Sequence, residues 1–221
     1  MKLHAALLPT AALVLFAGGL RSAQAQVVLN SDFEAVQIGS PFSSNNPADI
    51  PGWTHTGTAD ALMFGVGYSD GGGSVTTAGH GNQFVTLGPG FNASGQGTWS
   101  QAVTGFTIGQ TYNLSFMMAS EINFSQGIAV DFPLGSATPT QTFTAGPSPV
   151  NYWRSWETKN MNFTAAGSSV TLRFTSTTTD DVGLDNVKVT AVATPEPGMM
   201  GLSAGLIASF GGVALRKRRR K

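Results

Sequence analysis

The chain has 221 residues, with 12 basic and 12 acidic side chains, three His and no Cys. Its charges are segregated: residues 26–194 hold four Lys or Arg against eleven Asp or Glu, a net of −7. Such an acidic body lacks the clustered cations that nucleic acid demands, and the absence of Cys excludes a disulfide scaffold, thiol catalysis and Cys-ligated zinc.

Residues 1–25 have the pattern of a secretory signal. Lys2 supplies the positive start, Ala5 to Leu20 is apolar apart from Pro9 and Thr10, and Ala23-Gln24-Ala25 is a small-x-small cleavage site. The mature chain is therefore expected to begin at Gln26.

The body, 26–193, is expected to be all-β. Residues 26–194 contain 40 Ser or Thr but only 15 charged residues, and no helical apolar stripe interrupts them. A long loop is expected from Gln37 to Pro51. Strands are predicted where apolar residues alternate: Val85 and Leu87; Trp99, Gln101 and Val103; Tyr112, Leu114, Phe116 and Met118; Ile128, Val130 and Phe132; Val170, Leu172 and Phe174; Val187 and Val189. A further strand over 152–162 would put Tyr152, Arg154, Trp156, Thr158, Asn160 and Asn162 on one face. Trp153, Met161 and Phe163 would lie on the other. Turn signals separate these runs, among them Pro51-Gly52, Gly88-Pro89-Gly90, Gly109-Gln110, Gly146-Pro147 and Ala166-Gly167. Asp180-Asp181 reads as a hairpin turn. Short strands divided by Gly and Pro turns favour a single β-sandwich.

The C-terminal region, 194–221, has three parts in order. Pro195-Glu196-Pro197 comes first. Gly198 to Leu215 follows, 18 residues without a charge, which as a transmembrane helix rise about 27 Å. Arg216, Lys217, Arg218, Arg219, Arg220 and Lys221 close the chain, a cluster that stays cytoplasmic and attracts anionic lipid. This order resembles the PEP-CTERM sorting signal. The resemblance implies a Gram-negative host, an exosortase that cleaves near Pro-Glu-Pro, passage across the inner membrane with transient anchoring, and delivery to the cell surface or an exopolysaccharide, biofilm matrix.

The body resembles galactose-binding-like jelly rolls of the carbohydrate-binding-module kind. The similarity rests on Asn30-Ser31-Asp32-Phe33-Glu34, Pro51-Gly52-Trp53, Trp99-Ser100-Gln101-Ala102-Val103, Gly109 to Phe116, and Leu184-Asp185-Asn186-Val187. In such jelly rolls the first and last strands meet at a structural calcium site. Carried over, Asp32, Glu34 and Asp185 are the candidate ligands, in keeping with the hard oxygens calcium requires. The alternative is that Asp32 and Asp185 cap turns while Glu34 is solvated. In this architecture Trp53 and Trp99 pack in the interior.

Tyr152, Arg154, Trp156 and Asn160 are the candidate glycan-binding residues, because flat rings stack on pyranose faces and polar neighbours select hydroxyls. A core or edge role for these aromatics is the competing reading. His55 and His80 are isolated and expected in loops. No HExxH, G-x-S-x-G or P-loop is present, so no catalytic residue is assigned. The expected function is a non-catalytic, exported matrix protein that associates with exopolysaccharide or another glycan, without nucleic acid. A polysaccharide-active enzyme and an adhesive protein without glycan binding are the alternatives.

Overall fold

Alternation with period two dictates strands with one buried and one open face, and this is what the chain builds. The computed structural model describes residues 26–36, 42–43, 50–57, 63–65, 78–88, 96–121, 124–148, 153 and 155–193. Residues 1–25 and 194–221, where the leader, Pro195-Glu196-Pro197, the apolar segment and the basic tail fall, lie outside them. No helix long and apolar enough to cross a membrane occurs among the described residues.

The strands are β1 (Phe42–Ser43), β2 (Thr54–Thr56), β3 (Met63–Gly65), β4 (Gln83–Leu87), β5 (Thr98–Thr104), β6 (Thr111–Ser120), β7 (Gln126–Asp131), β8 (Gln141–Ala145), β9 (Glu157–Thr164), β10 (Ser169–Ser176) and β11 (Val182–Ala191). They form two antiparallel sheets, one ordered β1-β3-β4-β11-β6-β9 and the other β2-β5-β10-β7-β8. Counted from β4, the last eight strands run 1-8-3-6 in the first sheet and 2-7-4-5 in the second. That order is a jelly roll, in which most connections pass from one sheet to the other.

The inner faces meet in one core. Leu114, Phe116 and Met118 of β6, Val170, Leu172 and Phe174 of β10, Ile128 and Val130 of β7, and Val182, Leu184, Val187 and Val189 of β11 are all buried in it. Rings lock the sheets together edge to face: Phe116 stands 5.3 Å from Phe174 and 5.2 Å from Phe143. Trp53 and Trp99 are buried as expected. Trp53 packs 5.2 Å from Phe33, and Trp99 Nε1 donates to the Thr86 carbonyl at 2.9 Å. The turn before Trp53 closes with Trp53 N donating to Ile50 O at 3.1 Å, and Gly52 between them has φ 87°. Pro then Gly with positive φ is a type II turn.

Four expectations are corrected. Asp180-Asp181 is not a hairpin turn: β10 and β11 belong to different sheets, so this segment crosses between them and Asp181 is buried. His55 lies on β2, its ring 5.0 Å from that of Trp99. The stretch 37–51 includes β1, paired antiparallel with β3. The strand expected over 152–162 begins only at Glu157, because Trp153 adopts a left-handed backbone with φ 36° that no strand accommodates.

Phe174→Ala should cost about 3–5 kcal/mol, since it opens a cavity where both sheets meet. Thr142→Ala, on the exposed face of edge strand β8, should stay within about 0.5 kcal/mol. Urea denaturation of the two variants checks the pair.

Candidate functional site

The outer face of the six-stranded sheet divides into two halves. On one half, alternation turns Thr111, Asn113 and Ser115 of β6 outward beside Asn160, Asn162 and Thr164 of β9 and Lys188 and Thr190 of β11. The register sets Lys188, Ser115 and Asn160 in one row, and Thr190, Asn113 and Asn162 in the next. Asn113 Nδ2 donates to Asn162 Oδ1 at 2.9 Å, and the hydroxyls of Thr111 and Thr164 are 3.5 Å apart. Rows about 4.8 Å wide per strand, stepping by about 6.8 Å along it, present a grid of hydroxyls and amides with Lys188 its one cation.

The other half is aromatic. Phe84 of β4 and Ala119 of β6, both on the outer side, are covered by Trp153 and the half-buried Trp156. The ring of Phe84 lies 5.4 Å from Trp153 and 5.0 Å from Trp156, edge-on to the latter. Gly183 on β11 makes this possible. A Cβ there would stand 2.8 Å from the Trp156 ring and 2.9 Å from Trp153. Trp153 and Trp156 therefore share one cluster, not opposite faces of a strand. Trp153 is buried, but outside the inter-sheet core, with its backbone N–H donating to Ser120 O at 3.2 Å. From Glu157 onward the expected faces hold: Thr158, Asn160 and Asn162 are exposed, and Met161 and Phe163 are buried. Tyr152 and Arg154 lie outside the described residues.

The N-terminal motif reaches the same sheet. Asn30 and Phe33 take positive φ values of 46° and 58°, curling residues 29–36 into successive turns. Phe33 plugs the core, while Glu34 Oε1 accepts from the backbone N–H groups of Asn82 (2.5 Å) and Gln83 (2.8 Å). Val187 N donates to Ser31 O at 2.8 Å. Between these ties lies Asp185, fully buried, its Oδ2 accepting from His80 N (2.7 Å) and its Oδ1 from Asn186 N (2.6 Å). Asp32 Oδ2 is 3.7 Å from His80 Nδ1.

Asp32, Glu34 and Asp185 thus share one neighbourhood, but Glu34 and Asp185 direct oxygens at main-chain donors. Among the described residues no three His, Asp or Glu side chains are grouped to hold a metal. Glu34 is tied to the loop ahead of β4 and is not merely solvated. Burial pushes the Asp185 carboxyl up from 3.8 to about 7, aided by the charges of Glu34 and Asp32 and opposed by its two N–H donors. Asp185 shares the parity of Val187 and Val189, so strict alternation would turn it inward; the register irregularity after it sets it opposite Met117 on the outer face. Its burial comes from the loops that fold over that face, which leave no periodic signal.

The family DUF642, a protein family of unknown function, matches residues 26–189, and the chain belongs to it. No curated protein matches the chain. Solved structures similar to it include TmCBM61 in complex with β-1,4-galactotriose, 14% identical over 74% of this chain and 97% of that one, with a TM-score of 0.47. The xylan-binding domain from CBM 22 is 18% identical over 66% of this chain and 89% of that one, with a TM-score of 0.44. The K3 cleaved adhesin domain of Lys-gingipain from Porphyromonas gingivalis is 17% identical, covering 76% and 99%, with a TM-score of 0.44.

An acid that holds its proton more tightly in the folded than in the unfolded chain makes stability fall as pH rises between the two values. For Asp185 the window runs from 3.8 to about 7, and the full gap corresponds to about 4 kcal/mol. Melting in chelator should therefore show the midpoint dropping from pH 4.5 to pH 7.5. Asp185→Asn should flatten that slope, whatever its effect on the midpoint itself.

Proposed function

We propose that this DUF642 chain is an exported, non-catalytic β-sandwich that binds polysaccharide on the outer face of its six-stranded sheet. The observation that carries the reading is the uninterrupted grid of Ser, Thr and Asn on β6 and β9, running into the half-exposed ring of Trp156. Hydroxyls and amides exchange hydrogen bonds with sugar hydroxyls, and the half-exposed indole at the end of the grid supplies an apolar surface for a pyranose face. The near absence of charge suits a neutral glycan over a uronic-acid polymer. Asp185, a carboxyl pushed strongly upward, is fully buried with both oxygens on N–H groups, so it is not placed to protonate a leaving group. That position accords with the proposed non-catalytic role.

The C-terminal Pro195-Glu196-Pro197, apolar segment and basic cluster would direct the sandwich to the cell surface or matrix after exosortase cleavage. Calcium is a subsidiary proposal. Glu34 and Asp185 already serve main-chain donors, so an ion here would draw on Asp32, the outer lone pairs of those carboxylates and nearby carbonyl groups. Saturating calcium should raise the melting midpoint, by the equivalent of about 2.7 kcal/mol at a hundredfold excess over Kd. An unchanged midpoint leaves the junction held by hydrogen bonds alone.

Affinity electrophoresis against neutral polysaccharides tests the binding face. Asn160→Ala with Asn162→Ala should abolish retardation and leave the melting midpoint nearly unchanged, since both side chains are exposed. Trp153→Ala should destabilise by about 3–5 kcal/mol. Trp156→Ala, half-buried against Phe84, should weaken binding and also lower stability, by less than Trp153→Ala. Retained binding in the double Asn variant would move the site off this face.

A further inference from the structure

Three loops close one end of the sandwich: 105–110, 132–136 and 165–168. Main-chain bonds lace them together. Gly105 N donates to Ser168 O (3.0 Å), Gly109 N to Ala165 O (2.8 Å), Ala166 N to Gly135 O (2.7 Å) and Thr171 N to Leu134 O (2.9 Å). The loops contain no charged residue. Yet they hold Ile108 and Leu134 out in water, 68% and 70% exposed. Val27, 72% exposed, follows Gln26, whose N–H donates to Val189 O near the same end. Such aliphatic side chains on hydrogen-bonded loops contribute nothing to the core and leave an apolar rim whose loops carry no charged side chain.

The chain leaves the sandwich at this rim. Val192 N donates to Thr111 O at 2.9 Å, and Gln110 Nε2 donates to Val192 O at 2.6 Å. From Val192 to Gly198, where the uncharged stretch to Leu215 begins, is six residue steps, at most about 22 Å of chain. Acidic residues gather at the opposite end: Glu121 follows the last residue of β6, and Asp180 and Asp181 precede β11.

We propose that this rim is a lipid-docking surface, with Val27, Ile108 and Leu134 entering the interfacial layer of the bilayer that holds the chain's own apolar segment. The proposal rests on the reading of residues 198–215 as membrane-inserted. Two arguments choose lipid as the occupant. The short tether keeps the rim within reach of the bilayer surface. The loops of this end, which carry no acidic side chain, also face an anionic leaflet without the repulsion that Glu121, Asp180 and Asp181 would meet.

The absence of Cys makes the test direct. The full chain carrying Ile108→Cys, Leu134→Cys or, at the opposite end, the exposed Phe124→Cys is labelled with an environment-sensitive fluorophore. It is then reconstituted into vesicles of phosphatidylcholine and phosphatidylglycerol. Labels at 108 and 134 should shift to the blue and lose about twofold in intensity with brominated lipid, as groups in the interfacial layer do. The label at 124 should do neither. If the chain floats with the vesicles while the 108 and 134 labels stay in water, the docking surface is overturned and the membrane segment stands. If the chain does not float, the membrane reading fails and the docking surface with it. A blue shift indifferent to brominated lipid assigns the rim to a second copy of the chain and likewise overturns the proposal.

Discussion

A carboxyl group taken out of water must be met by donors, and Asp185 is met by two main-chain N–H groups from different parts of the chain. It sits on β11, the strand between β4 and β6, at the point where the register with β6 slips. Asn186 absorbs the slip with a φ of 52°. After the irregularity Val187 and Val189 return to the core, so the alternation of the last strand resumes with its apolar side still inward. The N-terminal turns dock at this place, through Val187 N on Ser31 and Glu34 on the start of β4. The buried acid thus joins the loop before β4 to the closing strand, and Ser31 and Glu34 fasten the first segment of the body beside it.

The strands were legible because burial in a two-sheet fold writes itself into every second residue. β6 and β10 show this most plainly, each with an unbroken alternation along most of its length. Parity reasoning failed where its premise failed. Trp153 and Trp156 were read as residues of a strand, but they precede one, and a left-handed backbone at Trp153 folds both rings onto the same surface. Asp180-Asp181 misled for a related reason: turn-forming residues mark a reversal without saying whether the next strand stays in the same sheet. The grid on β6 and β9 was half visible. Asn160 and Asn162 were placed on the open face, whereas Asn113 and Ser115 joined them only through a register that no single strand encodes.

Gly183 shows how one small residue divides a surface. Lacking a side chain, it admits two indoles over the middle of the sheet, and their bulk ends the polar rows at Trp156. The same sheet thus carries an oily half, open only at Trp156, and a hydrophilic half left open.

The bridge from Gln26 to Val189 sets the first described residue of the body beside its last strand, two residues from where that strand ends at Ala191. A domain whose entrance and exit are neighbours behaves as a cassette. It can be spliced into a surface loop of an unrelated protein without prising the loop's ends apart, or strung in tandem with all its copies hanging from one thread by the same corner. Modularity of this sort requires no linker engineering, since the two ends already meet.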